Sequence, residues 1–275
     1  MKSLKILAIL LTGSSALAQD STVEMEMPLI LNRIHFGSCI KQAEPTPIFE
    51  TIIRDHPEIF VMTGDNIYAD THDMAEMKAR YEELGRNPLF QELRETCPIL
   101  ATWDDHDYGT NDAGSEYPEK KESQAQFLDF WRVRPGSPRR SREGIYDSVI
   151  IGPRGTDVQI ILLDTRYFRG PLKTGEKRMG GKYYPEPDAS VPMLGEAQWK
   201  WLEEELRKPA ALRVIVSSIQ FVASASGQET WSNLPEERKR MIALIDDTDA
   251  NGVIFISGDR HWTEISKLDR STPFP

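Results

Sequence analysis

Ile59-Phe60-Val61-Met62-Thr63-Gly64-Asp65 is an apolar run of strand length that ends in a glycine and a carboxylate. Four other stretches share its form: Ile34-His35-Phe36-Gly37-Ser38-Cys39, Ile99-Leu100-Ala101-Thr102-Trp103-Asp104-Asp105-His106, Val214-Ile215-Val216-Ser217-Ser218-Ile219-Gln220, and Val253-Ile254-Phe255-Ile256-Ser257-Gly258-Asp259-Arg260-His261. Continuous Val/Ile-rich runs read as buried strands. Open α/β sheets build their sites from side chains delivered just past the carboxyl ends of such strands. Five repetitions predict one site at one sheet edge, and carboxylates with His, Tyr and Cys suit a metal.

Between these runs the chain alternates helix-like and strand-like segments. Helices are predicted at 47–54 (Thr46 as cap, Pro47 in the first turn), 71–84, 90–95, 123–133, 195–208 and 235–247, from their apolar spacing and from Pro at a first turn. Residues 144–151 and 158–163, separated by Gly152-Pro153-Arg154-Gly155, predict an antiparallel hairpin. The segment 171–192 reads as the longest loop, and 262–268 as a further strand. The whole describes a mixed sheet with helices outside it.

Residues 1–18 have the form of a cleaved signal peptide, with Lys2 and Lys5, a short apolar core and Ala16-Leu17-Ala18. Residues 19–31 then form a short N-terminal segment, 32–275 the main domain, and the protein is expected to be secreted or periplasmic, with no transmembrane segment. Only 14 residues follow His261, so we expect the C-terminal strands to be missing. A net charge of −10 argues against nucleic-acid binding by surface charge, though not against an anionic substrate. Cys39 follows its strand and Cys97 precedes one, which would set them about 15 Å apart at ~3.3 Å per residue. A disulfide is therefore not expected.

Phe36-Gly37-Ser38-Cys39, Gly64-Asp65-Asn66-Ile67-Tyr68-Ala69-Asp70, Trp103-Asp104-Asp105-His106-Asp107-Tyr108-Gly109 with Asn111-Asp112, Leu163-Asp164-Thr165-Arg166, and Ser257-Gly258-Asp259-Arg260-His261 together resemble the alkaline phosphatase D (PhoD-like) family of calcineurin-like metallophosphatases. The resemblance runs from about residue 33 to 268. It implies a four-layer α/β/β/α sandwich and a cluster of Fe(III) and Ca(II), other divalent metals remaining open. It also implies hydrolysis of phosphomonoesters or phosphodiesters through a metal-bound hydroxide, with a small phosphate ester as the partner.

On that resemblance Cys39, Asp65, Tyr68, Asp104, Asp105, Asn111, Asp259 and His261 are the expected metal ligands, and His106 and Arg166 the expected catalytic residues. The residue chemistry is consistent with these roles. Asp65 directly after a strand and a glycine can bridge two cations, and a phenolate from Tyr68 is a hard ligand for Fe(III). Adjacent carboxylates at 104 and 105 repel unless a cation holds them, and Ca(II) takes about six to eight oxygens. Asp259, where the wider superfamily has histidine, moves the site from nitrogen towards oxygen ligation and away from zinc. Each residue also has a plain structural reading: a buried thiol for Cys39, core packing for Tyr68, a structural His106, and an Arg166–Asp164 pair. Trp231, Asn233 and Arg238 are expected near the pocket mouth, and Gln220 to line the site. Two other functions remain open, a non-catalytic Ca-binding relative and a phospholipase-type phosphodiesterase.

Overall fold

The computed structural model describes residues 30–178, 180–224 and 227–268. The signal-peptide segment and nearly all of the short N-terminal segment lie outside the described residues. All five runs form strands, but they divide between two sheets rather than sharing one. The first sheet is fully parallel, in the order β1 (Ile34–Gly37), β2 (Ile59–Thr63), β3 (Ile99–Thr102). The second has the order β4 (Asp147–Ile151), β5 (Val158–Leu162), β8 (Leu212–Val216), β9 (Val253–Ile256), with only the β4–β5 pair antiparallel, the predicted hairpin.

The period-two alternation of strand side chains explains how the two sheets stack. On β2, Ile59 and Val61 face one way and Phe60 and Met62 the other; on β5, Ile160 and Leu162 oppose Ile161. Ile59, Val61, Ile160, Leu162, Val214 and Val216 form the layer between the sheets. Phe60 and Met62 pack under α1 (Ile48–Arg54), α2 (Met74–Arg86), α3 (Pro88–Thr96) and α5 (Lys120–Phe130). Ile161 and Ile215 pack under α6 (Gly195–Leu206) and α7 (Pro235–Asp247). Three separate cores thus lie between four layers, helices–sheet–sheet–helices. A run apolar on both faces is what a doubly covered strand requires.

Several local expectations are corrected. Thr46 does not cap α1: Pro47 holds that position without a side-chain cap, and Thr46 Oγ1 instead accepts from Asn87. The second helix begins at Met74 because Asp73 Oδ1 caps Ala75 N at 2.8 Å. Residues 171–192 are not all loop, since β6 (Thr174–Arg178) and β7 (Gly181–Tyr183) form a hairpin within them. Residues 262–268 form no strand, and Ile265 is 98% exposed. The two cysteines are free, as their strand positions required. Among the described residues no helix is long and apolar enough to cross a membrane.

Candidate metal centre

The carboxyl ends of β2, β3, β8 and β9 converge where the two sheets meet. Thr102 Oγ1, the last residue of β3, donates to Leu163 O of the other sheet at 2.7 Å. Gly64 allows the closest approach: its φ is +111°, and a Cβ there would lie 2.6 Å from the Cβ of Asp104. Asp65 follows at φ 50°, Cys39 lies at 61°, Asp259 at 67° and His261 at 56°. Four expected ligands therefore occupy backbone conformations that non-glycine residues avoid, a strain typical of functional sites.

Four groupings of acidic, histidine and cysteine side chains bring potential ligand atoms within 4.8 Å of one another: Cys39/Asp65/His261, Asp65/Asp105/His106, Asp65/Asp104/Asp259, and Asp105/Asp112/Glu229. Asp65 belongs to three of them. Around it, Cys39 Sγ donates to Asp65 Oδ2 at 3.5 Å, and the Tyr68 hydroxyl and His261 Nε2 are hydrogen-bonded at 2.8 Å. Asp65 Oδ1, Asp104 Oδ2 and Asp105 Oδ1 are buried without a hydrogen-bond partner. Buried carboxylate oxygens normally find donors. Three left bare at one place, beside thiol, phenol and imidazole, suit a cation as the missing partner.

The electrostatics point the same way. Burial, and then the charges of Asp104, Asp105 and Asp107, push the Asp65 carboxyl up to about 12. Burial lifts Asp104 to about 7 against the pull of Arg166, and Asp259 to about 8, with Asp104 adding to the rise. Burial likewise raises the Cys39 thiol and the Tyr68 phenol. Asp105 is lowered: burial would raise it, but Arg166 and His106 outweigh that. Acids crowded in this way are relieved either by holding protons or by added positive charge, and a bound cation would supply the second.

The expected catalytic residues separate in character. His106 is half-buried at the rim, its Nδ1 2.8 Å from both oxygens of Asp70 and its ring 4.2 Å from the Tyr68 ring. Burial would lower its pKa, but the Asp70 hydrogen bond and the charges of Asp105, Asp70 and Asp104 raise it. Arg166 is 0% exposed. Its Nε lies 2.5 Å from Asp104 Oδ1, and its two terminal nitrogens donate to Glu229 at 2.9 and 2.8 Å. Its backbone N–H, not its side chain, meets Asp164. In this arrangement Arg166 holds carboxylates in place and presents no fork to a phosphate.

Asn111 is exposed on the turn after α4 (Asp105–Tyr108), and its neighbour Asp112 is the residue drawn into the acidic group. Gln220 lines the site edge, bonded to Gly258 O and accepting from Arg260 Nε at 3.2 Å. Trp231, Asn233 and Arg238 serve the scaffold: Trp231 Nε1 donates to Ser217 Oγ, Asn233 Oδ1 accepts from Thr230 N, and Arg238 donates to Val222 O.

Sequence reasoning passed over Asp70, Asp107, Asp112 and Glu229. Asp107 is fully buried and gathers the strand ends, accepting from Asp65 N at 3.2 Å, Asp104 N at 2.7 Å and Asn66 N at 3.3 Å. Its spacing from Asp104 is that of a capping box, a readable signal. Glu229 lies in a stretch without periodicity, and nothing local marks it.

A PhoD-like phosphatase family model matches residues 35–274. Alkaline phosphatase D of Bacillus subtilis (strain 168) is 25% identical over 242 residues, which cover 77% of this chain and 40% of that protein. The chain thus spans less than half the length of this curated relative. The solved structure of PhoD superposes with a TM-score of 0.69 at 20% identity, over 86% of this chain and 53% of that one. A dimetal phosphatase from Danio rerio superposes with a TM-score of 0.53 at 13% identity, over 84% and 82%. These likenesses support the four-layer fold.

Proposed function

The chain belongs to the PhoD-like phosphatase family, and from that premise we propose that it is an exported metal-dependent phosphoesterase acting on phosphomonoesters, phosphodiesters or both. The observation that carries this reading is the set of bare, buried oxygens on Asp65, Asp104 and Asp105 beside Cys39 and His261. Export rests on the pattern of residues 1–18.

Cys39, Asp65, Tyr68 and His261 would hold one cation, and Asp65, Asp104, Asp105 and Asp259 another, with Asp112 and Glu229 extending the oxygen-rich side. Thiolate with phenolate suits Fe(III), and the carboxylate cluster suits Ca(II). When bound, such ions polarise a phosphoryl oxygen and make water a nucleophile near neutral pH. The chain's own groups do the rest. Asp107 fixes the spacing of the strand ends through backbone amides. Arg166 and Glu229 lock the Asp104 carboxylate in orientation. Asp70 occupies Nδ1 of His106 and favours its charged form, which leaves Nε2 to protonate the departing oxygen.

The test is hydrolysis of aryl phosphomonoesters and diesters by the metal-loaded full chain, with and without chelator. Activity lost on chelation and restored by metal is expected. A folded, metal-replete protein inert towards every phosphoester would overturn the reading, and bound calcium without turnover would identify a non-catalytic relative.

A further inference from the structure

A cavity of about 570 Å³ adjoins the candidate ligands Cys39 and His261, which form part of its wall. It lies at the carboxyl ends of β1 and β9, each the edge strand of its sheet. The two sheets touch there: a Cβ on Gly258 would lie only 2.6 Å from the Cβ of Ser38. The volume falls in the range of about 300–1,000 Å³ usual for small-molecule sites.

Away from the ligands the walls are apolar. Three of the seven exposed large apolar side chains among the described residues line this cavity: Phe36 at 52%, Trp262 at 56% and Ile265 at 98% exposure. Such groups scattered singly need no explanation, but three gathered beside a candidate metal centre mark a contact surface. Phe36 shares its strand face with Ile34, which packs on the layer between the sheets, so its ring lies on the side of the second sheet. Phe221 stacks on Phe255 with ring centres 4.0 Å apart and planes within 8°, a rigid aromatic surface. Trp262 is oriented by its Nε1, which donates to Glu264 at 3.2 Å.

The charged groups of the wall are engaged with the protein itself. Arg260 Nε donates to Gln220 at 3.2 Å and pairs with Asp259 at 3.0 Å, and a terminal nitrogen donates to Glu229 O. Glu264 accepts from Trp262 and from Ser266 Oγ. No lysine lines the cavity, so its apolar part offers nothing to offset a second charge on a ligand.

We infer that this cavity receives the ester group that a phosphodiester keeps when its other ester bond is cleaved, and that Phe36, Phe221 and Trp262 select an apolar, ring-bearing group there. With phosphorus held at the acidic cluster, a substituent directed past Cys39 and His261 enters the cavity. Aromatic walls favour a ring through the area buried and through stacking. This inference rests on the phosphoesterase reading for the placement of the phosphorus.

The experiment compares benzyl 4-nitrophenyl phosphate with methyl 4-nitrophenyl phosphate on the metal-loaded full chain. Both release 4-nitrophenolate as water adds to phosphorus, so only the retained ester differs. Calorimetry with benzylphosphonate and methylphosphonate reads affinity without turnover. The benzyl compound should be preferred at least about tenfold in kcat/KM, through KM, and in affinity, the lower end of what an apolar group gains in a fitted pocket. Phe36→Ser combined with Trp262→Ser should bring both ratios to about one, and each single change should lower them partway. Phe36→Leu with Trp262→Phe should retain most of the preference. A ratio within about twofold of unity in the unmodified protein, or one untouched by the serine changes, overturns the inference. Self-association in sedimentation that the serine changes abolish, with no benzyl preference, would assign these walls to a second copy and likewise overturns it. If neither diester is hydrolysed but the binding preference persists and depends on Phe36 and Trp262, the subsite stands and the phosphoesterase reading falls. Hydrolysis of both with no binding preference removes the subsite and leaves the phosphoesterase reading in place.

Discussion

Asp65 lies two residues past β2 and Asp164 two residues past β5, both in the interior, and their oxygens meet different surroundings. Asp164 is saturated: Oδ1 accepts from Trp103 Nε1 at 2.8 Å and from the backbone of Arg166 and Tyr167 at 3.0 Å, while Oδ2 accepts from Ile145 N at 2.9 Å. Asp65 has the weak Cys39 contact on one oxygen and nothing on the other. One carboxylate is completed by the scaffold itself, and the other keeps a buried oxygen with no hydrogen-bond partner, as the proposed metal ligand would. The family motifs mark both, so only their surroundings tell a structural acid from a candidate ligand.

The sharpest way to break this contrast is to substitute each in turn. Asp65→Asn should reduce phosphoesterase activity to the level of the chelated protein, because three of the four ligand groupings share that residue. In the metal-free state the same change should shift stability by no more than about 1 kcal/mol, roughly 2–4 °C in melting temperature for a chain of this size. Activity assay and melting curve on one preparation check both halves.

His106→Ala should lower kcat by about 10²–10⁴ on esters with poor leaving groups while leaving metal content intact, the range expected for loss of a general acid. Asp70→Asn should lose less. If the loss is the same for good and poor leaving groups, His106 does not protonate the leaving oxygen.

Asp164→Ala, in contrast, should destabilise the protein by about 3–5 kcal/mol whether or not metal is present, since it strands buried donors on Trp103, Ile145, Arg166 and Tyr167. A melting temperature that metal fully restores would place Asp164 among the ligands instead.

A smaller effect follows from the raised carboxyls. Asp104 and Asp107 reach about 7 and Asp259 about 8 in the folded chain, against an ordinary value near 4 when unfolded. The folded state then holds protons that the unfolded state has released. The contribution of these three carboxyls to stability is greatest below about pH 4 and falls as pH rises to about 8. Metal binding displaces those protons, so the loaded protein should gain on the metal-free one over the same range. Melting curves at pH 5 and 8, with and without metal, should show the gap widening.

The division between what the chain reveals locally and what it does not follows the same line. The strands were legible because burial on both faces writes a continuous apolar run, and Asp65, Asp104, Asp105, Asp259 and His261 were legible because each ends one. That the runs split between two sheets was not readable from their spacing, since period two says which residues share a face and not which face meets which. Thr102 bonding to Leu163 and the shared layer of Ile59, Val61, Val214 and Val216 decide that, across long separations. Arg166 eludes a local reading for a related reason: its partner Glu229 is 63 residues away, and without it the neighbouring Asp164 is the partner that the sequence offers. Asn111 and Asp112 are neighbours, and only the turn after α4, where Asp112 N meets Asp105 Oδ2 at 2.7 Å, settles which is drawn in.

Whether cations complete the bare carboxylates is measured most directly by elemental analysis of the purified, dialysed full chain beside its Asp65→Asn variant. At least two metal ions per unmodified chain are expected, with the variant losing them while its circular dichroism remains that of the folded protein. An unmodified protein that is folded and retains no metal after incubation with iron and calcium would contradict a metal centre at these strand ends.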